Sequence, residues 1–502
     1  TAYYTEPIAV LDYMSLYPSV IIANNFCPST LVLDQCRFQS SHRCEGVTYT
    51  TVDVDPEKGQ TYTFVDVPGV LPQLLKELLK ARKQAKRDMA DAKDADERSV
   101  LNARQLQIKV AANSVYGFTG AIKSGRYPCL AVAASTTFRA REYLFFAKSE
   151  VLRWSEETRG KPCRVVYGDT DSVMVHFGVS SNEEAYALGE AAADFITNRF
   201  KERGLPNLVL EMEKTYLPYL LMGKKKYAGL MYEDRKEKGI DAKGIEMVRR
   251  DNCLFAKKLQ TGVVHALMHD MSPEKAISIL QDELGRLMRD EVDLEDYVIS
   301  KARRDGYKNE NLPHLAVVQK MESRAPGSAP QCGDRVRYIY VEARKNATKE
   351  EAKRGFERAE DPGFVLSQRA LSLNDPVSFP PSSVPKIDRL YYLEHQVVEP
   401  MTRVLELIVS TDRLFLPVRN FFRGQTMLPF QTRPSSVLPS GSGSSSSERP
   451  SSSSSSSFQI DLLSLSKTAG PSKPKPKKRK AADPSTQQKS LFKMGVVGTK
   501  GG

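Results

Sequence analysis

The chain has 502 residues, of which 40% are hydrophobic, and its formal net charge is +12. At about 100–200 residues per domain, this length allows about three structural units. No apolar run reaches the roughly 18 residues of a membrane-spanning helix, and no N-terminal signal peptide is recognisable, so we expect no membrane partner. Residues 434–502 hold eleven Lys/Arg and three Asp/Glu, which is +8 of the total charge. Residues 1–433 therefore carry a net charge of only +4, which does not by itself indicate nucleic-acid binding.

The seven cysteines include no Cys-x-x-Cys pair. We therefore expect neither a zinc site nor an iron–sulfur cluster, and the scattered thiols are typical of an intracellular protein. Cys36, His42 and Cys44 form the one alternative set of metal ligands. The first residue is not Met, and the chain runs at once into a strand-like segment. We interpret the sequence as a piece of a longer protein.

The first predicted elements are a strand, a β-rich segment and a helical hairpin. Residues 8–11 have a strand pattern, and 31–69 have the composition of β-type surface segments. From Leu71 the leucines recur at helical spacing to about residue 93. The pattern resumes after an Asp/Ala-rich turn and continues to Phe118. We predict two long helices in a hairpin.

The rest of the body alternates between helical and strand patterns. Helices are predicted over about 131–152, 182–203, 256–271, 273–289, 294–301 and 393–409. Strands are predicted over 164–167, 172–177, 208–214, the apolar segments around the KKKY sequence at 224–227, and 335–341. Beyond residue 434 the hydrophobic periodicity is lost, and a Ser run and a basic run cannot bury enough apolar surface for folding. We expect 434–502 to be disordered.

Three carboxylates carry most of the predicted chemistry. Asp12 ends the first strand, and Asp169 and Asp171 lie in the turn of the hairpin at 164–177. Carboxylates this close repel one another unless cations neutralise them. A small number of hard oxygen ligands suits Mg²⁺, which completes its shell with water and substrate phosphates. Two such ions about 3.5–4 Å apart would stabilise the attacking and leaving oxygens of a phosphoryl transfer.

Basic residues of the helical hairpin fit a nucleoside triphosphate. Lys109, Asn113 and Tyr116 lie at i, i+4 and i+7, so they share one helix face. A cation, an amide and a ring match a phosphate, a sugar or base edge, and a base plane. Arg82 and Lys86 form a second cationic stripe. Either stripe alone could be a solvated basic face, but both together beside an acidic centre favour a nucleotide site.

Further candidates lie around this centre. Tyr17, close after Asp12, is placed to lie beneath an incoming sugar, although an isolated tyrosine is more often a core ring. Glu211 and Glu213 are two apart on a strand and share a face, either as an auxiliary acidic group or as a solvated edge. The KKKY sequence at 224–227 offers cations to duplex phosphates or minor-groove acceptors.

The segments DYMSLYPS, KVAANSVYG and YGDTDS resemble motifs A, B and C of family B DNA polymerases, in the family's order and approximate spacing. KKKY is similar to the family's KKRY element. The resemblance covers roughly residues 1–430. NSVYGFTG and APGSAPQCGDRVRY are most similar to delta-type members of eukaryotes, and zeta-type and large-DNA-virus members are also similar.

The resemblance implies an α+β right-hand fold. Residues 1–70 and 120–254 would form a palm of antiparallel sheet, 71–119 helical-hairpin fingers, and 255–433 a mostly helical thumb, followed by the disordered tail at 434–502. The family's proofreading motifs lie upstream of motif A, and its C-terminal cysteine clusters are absent from this chain.

The resemblance also implies roles for individual residues. Asp12, Asp171 and the backbone of Tyr13 would bind two Mg²⁺ ions, with Asp169 and Glu213 in support. The dNTP would be bound by Ser15, Leu16, Tyr17, Arg82, Lys86, Lys109, Asn113 and Tyr116, with Tyr17 as the gate against a 2′-hydroxyl and Lys109 also catalytic. Primer–template DNA would be contacted by Gly117, Lys224, Lys225, Lys226 and Tyr227. Lys226 replaces the family's Arg, and a lysine offers a point charge where an arginine offers a bidentate fork.

The implied function is DNA-directed DNA synthesis in replication, with dNTPs and primer–template DNA as partners. The alternatives are a lesion-bypass polymerase of the zeta type, a non-catalytic DNA-binding scaffold, and an RNA-synthesising enzyme. The retained carboxylates argue against a scaffold, and Tyr17 argues against RNA synthesis.

The tail indicates a nuclear location. Its basic run resembles a nuclear localisation signal and consists of Lys473, Lys475, Lys477, Lys478, Arg479 and Lys480. A basic segment that binds phosphates is a compatible alternative. Residues 488–492 resemble part of a sliding-clamp-binding box, without its terminal aromatic pair, so a clamp is a candidate partner.

Overall fold

The computed structural model describes residues 1–33, 46–122, 125–343 and 355–424, within a compact unit of Thr1–Ser453. Three predictions lie outside these residues. They are the alternative metal site at Cys36, His42 and Cys44, the disorder of the tail, and the tail's nuclear and clamp-binding segments.

Twelve strands are found in the described part of the chain. They are β1 (Ala2–Tyr4), β2 (Ile8–Tyr13), β3 (Tyr49–Asp55), β4 (Gln60–Val65), β5 (Arg164–Asp169), β6 (Ser172–His176), β7 (Leu210–Gly223), β8 (Lys226–Glu233), β9 (Lys236–Lys243), β10 (Ile299–Ala302), β11 (Arg335–Tyr340) and β12 (Ala359–Glu360). Seven of them form an antiparallel sheet in the order β5-β6-β2-β7-β8-β9, with β1 also paired to β7. The predicted strands of this sheet are confirmed, whereas β1 and β9 were not predicted.

Strand β2 lies inside this sheet because its residues are apolar on both faces. Ala9 and Leu11 pack into one buried cluster, and Ile8 and Val10 pack into another on the opposite face. Asp12 is the first residue of the strand that is not fully buried. The strand therefore carries its carboxylate to the edge of the core.

The main helices are α1 (Leu16–Ala23), α2 (Val70–Asp91), α3 (Ala95–Gly120), α4 (Leu130–Arg159), α5 (Asn182–Glu202), α6 (Leu254–Met268), α7 (Pro273–Met288) and α8 (Pro313–Arg324). The predicted hairpin of α2 and α3 is confirmed, and the side chain of Asp94 caps α3 by accepting the Glu97 N–H. Within the described ranges, no helix is both long and apolar enough to cross a membrane.

The region from 254 to 424 mixes helices with a small sheet. Further helices follow α8 at Pro362–Asn374, Arg389–Tyr392, Glu399–Leu405 and Asp412–Phe422, with a π-helical stretch at Leu393–Val398. Strands β10, β11 and β12 form a three-stranded sheet that shares one buried core with α6 and α7. We predicted a mostly helical region with one strand at 335–341. Helices form most of its described part and the strand is β11, but β10 and β12 beside it were not predicted.

The helix predicted over 294–301 is wrong. The segment forms a 3₁₀ turn at Leu294–Tyr297 and then strand β10. Spacing of three residues between apolar side chains fits both an α-helix and a 3₁₀ turn. Pairing of Ile299 with Tyr338 in β11 decides in favour of the strand. The β-rich prediction for 31–69 is confirmed over 49–65 by the hairpin of β3 and β4, and its residues 34–45 lie outside the described ranges.

Candidate functional site

Asp12 and Asp171 are brought together by the pairing of β2 with β6. Asp12 lies opposite Ser172 in the antiparallel register. The Tyr13 N–H donates a hydrogen bond of 2.9 Å to the backbone oxygen of Asp171. Two residues far apart in the sequence therefore lie next to each other in the fold, and their sharing of metal ions stays a prediction.

The environment of Asp12 disfavours its negative charge. Burial, followed by the charges of Asp171 and Glu213, raises the pKa of Asp12 to about 8. Lys214 and Lys109 oppose the shift but do not cancel it. The protein therefore concentrates more negative charge here than its own cations neutralise.

Asp171 has a similar environment. Burial raises the pKa of its carboxyl, and the charges of Asp169 and Glu213 add to this shift. A hydrogen bond from its own backbone and the charge of Lys109 act in the opposite direction. Lys109 thus acts on both carboxylates from helix α3.

A β-bulge distinguishes Glu213 from Glu211. The register of β2 with β7 changes from Leu11 opposite Met212 to Val10 opposite Lys214, so Glu213 is the extra residue. Glu213 acts on both aspartates, whereas the charge of Glu211 acts on Arg82. The charges of the two glutamates therefore act on different groups.

Asp169 faces a lysine of the KKKY segment. The Lys225 Nζ lies 3.1 Å from the Asp169 Oδ1, and the Lys225 N–H donates to the Tyr167 hydroxyl at 2.9 Å. Lys225 has a positive φ of 59° at the turn between β7 and β8. These contacts tie the acidic hairpin to the neighbouring hairpin of the sheet.

Arg82 connects the helical pair to the loop after β2. Its Nη1 donates to the Ser15 Oγ at 3.2 Å. Burial lowers the pKa of the Arg82 guanidinium, and the charge of Glu211 opposes this. Leu16 is only 3% exposed, and its contact with the triphosphate stays a prediction.

Two tyrosines stack at the junction of α1 and α3. The rings of Tyr17 and Tyr116 have centroids 4.1 Å apart and an interplanar angle of 18°. Burial raises the pKa of both hydroxyls, with a smaller contribution from Asp171 at Tyr17. Arg141 acts on both tyrosines in the opposite direction. Tyr17, the predicted sugar gate, is therefore in contact with Tyr116, which was predicted to bind the dNTP.

Other predicted residues are placed less tightly. Over the described ranges, Lys86, Asn113 and Lys224 are exposed and make no side-chain hydrogen bond or ion pair. Gly117 is exposed, and a Cβ built there would meet nothing within 4 Å. Lys226 is partly buried at the start of β8. Their roles stay predictions.

Tyr227 is mostly a packing residue in this structure. It is 8% exposed, and its ring lies among those of Tyr167, Tyr216 and Tyr219. Its predicted DNA contact stays a prediction, restricted to the small exposed part of the residue.

Comparison with known proteins assigns the family. Residues 1–408 match the sequence model described as DNA polymerase family B, which is most of the chain. The chain belongs to DNA polymerase family B. The resemblance carried by the three motifs is confirmed, and the α+β fold with antiparallel sheets and helices agrees with it.

Curated relatives of this family B chain include DNA polymerase delta catalytic subunits. That of Oryza sativa subsp. japonica is 40% identical over 414 residues, which cover 81% of this chain and 35% of the relative. That of Bos taurus is 40% identical over 418 residues, covering 82% and 35%. The chain thus spans about a third of the length of these relatives.

A solved structure of the same family is also similar. The family B DNA polymerase of the hyperthermophilic archaeon Pyrobaculum calidifontis matches with a TM-score of 0.54 and 26% sequence identity. The match covers 81% of this chain and 46% of the archaeal chain. The two proteins share a fold over most of this chain.

The acidic centre of this family B chain fits hard divalent cations. Its donors are carboxylate and backbone oxygens, and their mutual repulsion favours a bound cation. In the part of the chain that the structure describes, no group of three or more His, Cys, Asp or Glu side chains has metal-binding geometry. A pair of carboxylates is, however, the usual protein contribution to an Mg²⁺ site.

Sequence reasoning missed Lys214 and Arg141. Lys214 has its Nζ 3.5 Å from a carboxylate oxygen of Glu213 and acts on Asp12. Its position directly after Glu213 was the available signal. Arg141 lies on α4, and no local pattern connects it with the tyrosines of α1 and α3.

Proposed function

We propose that this chain extends a DNA primer by template-directed nucleotidyl transfer. The primer 3′-hydroxyl attacks the α-phosphate of a dNTP, a P–O bond forms, and pyrophosphate leaves. The observation that carries the proposal is that β2 pairs with β6, which brings Asp12 next to the turn of Asp171, beside Lys109, in a family B fold. The names of the delta catalytic subunit relatives support the same activity.

Asp12, Asp171 and the backbone of Tyr13 would hold two Mg²⁺ ions, with Asp169 and Glu213 in support. When bound, the ions supply positive charge to the attacking and leaving oxygens. The sheet fixes the two aspartates through strand pairing before substrate arrives. The raised pKa of Asp12 means that a cation and a proton compete for this carboxylate.

The helical pair would bind the triphosphate. Arg82, Lys86 and Lys109 supply cations where negative charge increases during the reaction, and Asn113 orders their surroundings. Ser15 and the backbone of Leu16 lie at the same loop. The stacked pair of Tyr17 and Tyr116 forms a wall against which the sugar and the new base pair would be selected.

In this proposal the seven-stranded sheet is the palm, α2 and α3 are the fingers, and residues 255–433 are the thumb. Duplex DNA would contact the segment of Lys224, Lys225 and Lys226 and the open surface at Gly117. The eukaryotic origin of the delta relatives supports a nuclear location and a role in replication.

A primer-extension assay on the full chain tests the proposal. We expect Mg²⁺-dependent addition of the nucleotide complementary to the template, and loss of this activity in Asp171→Asn. Asp234→Asn is the matched control, because Asp234 is an exposed aspartate of the same sheet, on the turn after β8. A wild-type protein that binds primer–template without extending it would instead be a scaffold.

A further inference from the structure

A buried amide lies in the seam between α2 and α3. Gln105 is 7% exposed, whereas Gln107 on the same helix is exposed. The buried residues of α3 are Gln105, Ala112 and Thr119, which are seven apart and so face the same side. Nearer the sheet the seam is apolar, since Ala112 packs with Leu75. An amide at such a position needs polar partners.

Gln105 finds these partners in a chain of hydrogen bonds that ends at the active-site loop. Its Oε1 accepts from the Arg82 Nε at 3.4 Å, and its Nε2 donates to the Asn102 Oδ1 at 2.9 Å. The Nη1 of Arg82 donates to Ser15 at 3.2 Å. Gln105 therefore contacts Arg82 on the side of the guanidinium away from the loop.

This contact restricts the orientation of the guanidinium. The group is planar, with donors in a fixed fork, so an acceptor at Nε limits rotation of the whole plane. The Nη edge is then directed toward Ser15 and the predicted triphosphate. A side chain already held in its binding orientation loses less freedom when the ligand arrives.

We propose that Gln105 is a positioning residue for nucleotide binding, acting through Arg82. The inference rests on the function proposed above, because it assigns Arg82 to the triphosphate. The competing explanation is that Gln105 only sets the register of α2 against α3, as single polar residues do in helical seams. The two explanations differ in what a substitution changes.

The test uses the full chain with primer–template and compares Gln105→Met with Gln107→Met. Met has a similar length and no strong acceptor, and Gln107 is the matched exposed control. We expect Gln105→Met to raise KM for the dNTP about 10-fold with kcat little changed. The substitution removes the hydrogen bond that the charged Arg82 guanidinium donates to Gln105, so Arg82 is no longer held in its binding orientation. Gln107→Met should leave both unchanged. A fall in kcat and melting temperature at unchanged KM would overturn the proposal.

A double-mutant cycle tests whether the effect passes through Arg82. Arg82→Met alone should raise KM, and adding Gln105→Met to it should have no further effect. Additive effects would overturn the proposal.

Equilibrium binding of a dNTP to the complex with a dideoxy-terminated primer provides a second readout. It separates this inference from the proposed function, because it needs no turnover. Weaker binding in Gln105→Met supports the positioning role even if extension fails, and unchanged binding overturns it.

Discussion

The central sheet and the α2–α3 hairpin bring opposite charges to one site by different means. Asp12 and Asp171 are fixed by backbone pairing between neighbouring strands. Lys109 and Arg82 instead act through long side chains that project from helices. Strand pairing leaves a short carboxylate little freedom to move, whereas several long cations can share one charged ligand. Substitutions in the sheet should therefore abolish the activity, and those in the hairpin should reduce it in steps.

The largest effect is expected for Asp12→Asn. Losing a metal ligand should cost about 4 kcal/mol of transition-state stabilisation, or on the order of 10³-fold in the rate of extension. Single-turnover primer extension measures this directly, and Asp234→Asn should retain the wild-type rate. A rate in Asp12→Asn close to that of the wild type would contradict the difference between the two regions, because the sheet would then tolerate substitution as well as the hairpin does.

Lys109→Met should have the next largest effect. Lys109 acts on both aspartates, so its loss removes a cation from the developing charge and should slow extension about 10²-fold. Lys83→Met is the matched control on the hairpin, since Lys83 lies on α2, is exposed and makes no side-chain hydrogen bond or ion pair within the described residues. It should change the rate only a few-fold. Equal losses in both variants would mean that net charge, not position, matters.

The structure shows why the sheet site was the more predictable of the two regions. Strand patterns next to Asp12 and Asp171 are local, and antiparallel hairpins follow from turn spacing. The same local rules predicted α2 and α3 from their leucine periodicity. The confirmed elements are those whose signals lie within a few neighbouring residues.

What could not be predicted depends on contacts between distant segments. The bulge at Glu213 is a property of how β7 pairs with β2. Arg141 and Gln105 reach their partners in the site only because α2, α3 and α4 pack in the folded chain. Residues Ile299–Ala302, within and just after the predicted helix at 294–301, form strand β10 because β11 lies beside them. Tertiary contacts overrode the local pattern in each case.

Tyr17→Ala should weaken sugar selection. The ring lies stacked on Tyr116, and its removal opens space where a 2′-hydroxyl would sit. We expect the preference for dNTPs over ribonucleotides to fall by about 10–100-fold, a size typical of shape-based discrimination. Tyr17→Phe keeps the ring and should keep the preference. Competition between the two nucleotide types measures the ratio, and an unchanged ratio in Tyr17→Ala would refute the gate.

The smallest effects are on stability. Its pH dependence should have opposite signs for Asp12 in the site and His314 in the C-terminal region. Asp12 binds its proton more tightly when folded, so in EDTA its contribution to stability should decline between about pH 4 and 8. His314 has a pKa lowered from 6.5 by burial, with a smaller effect of Lys301, so its contribution should be lost as pH falls below 6.5.

Thermal unfolding of Asp12→Asn and His314→Gln across this pH range measures both effects. Asp12→Asn should remove the loss of stability with rising pH, His314→Gln should remove the loss with falling pH, and each variant should keep the other loss as in the wild type. The same change in both variants would contradict the assignment of the two groups.

Binding of Mn²⁺, followed by electron paramagnetic resonance, most directly tests the claim that Asp12 and Asp171 share divalent ions. The sample is the full chain with a dideoxy-terminated primer–template and the matching dNTP. We predict two bound ions per chain, weakened binding in both Asp12→Asn and Asp171→Asn, and wild-type binding in Asp234→Asn. Binding that is the same in the wild type and in both active-site variants would contradict the account.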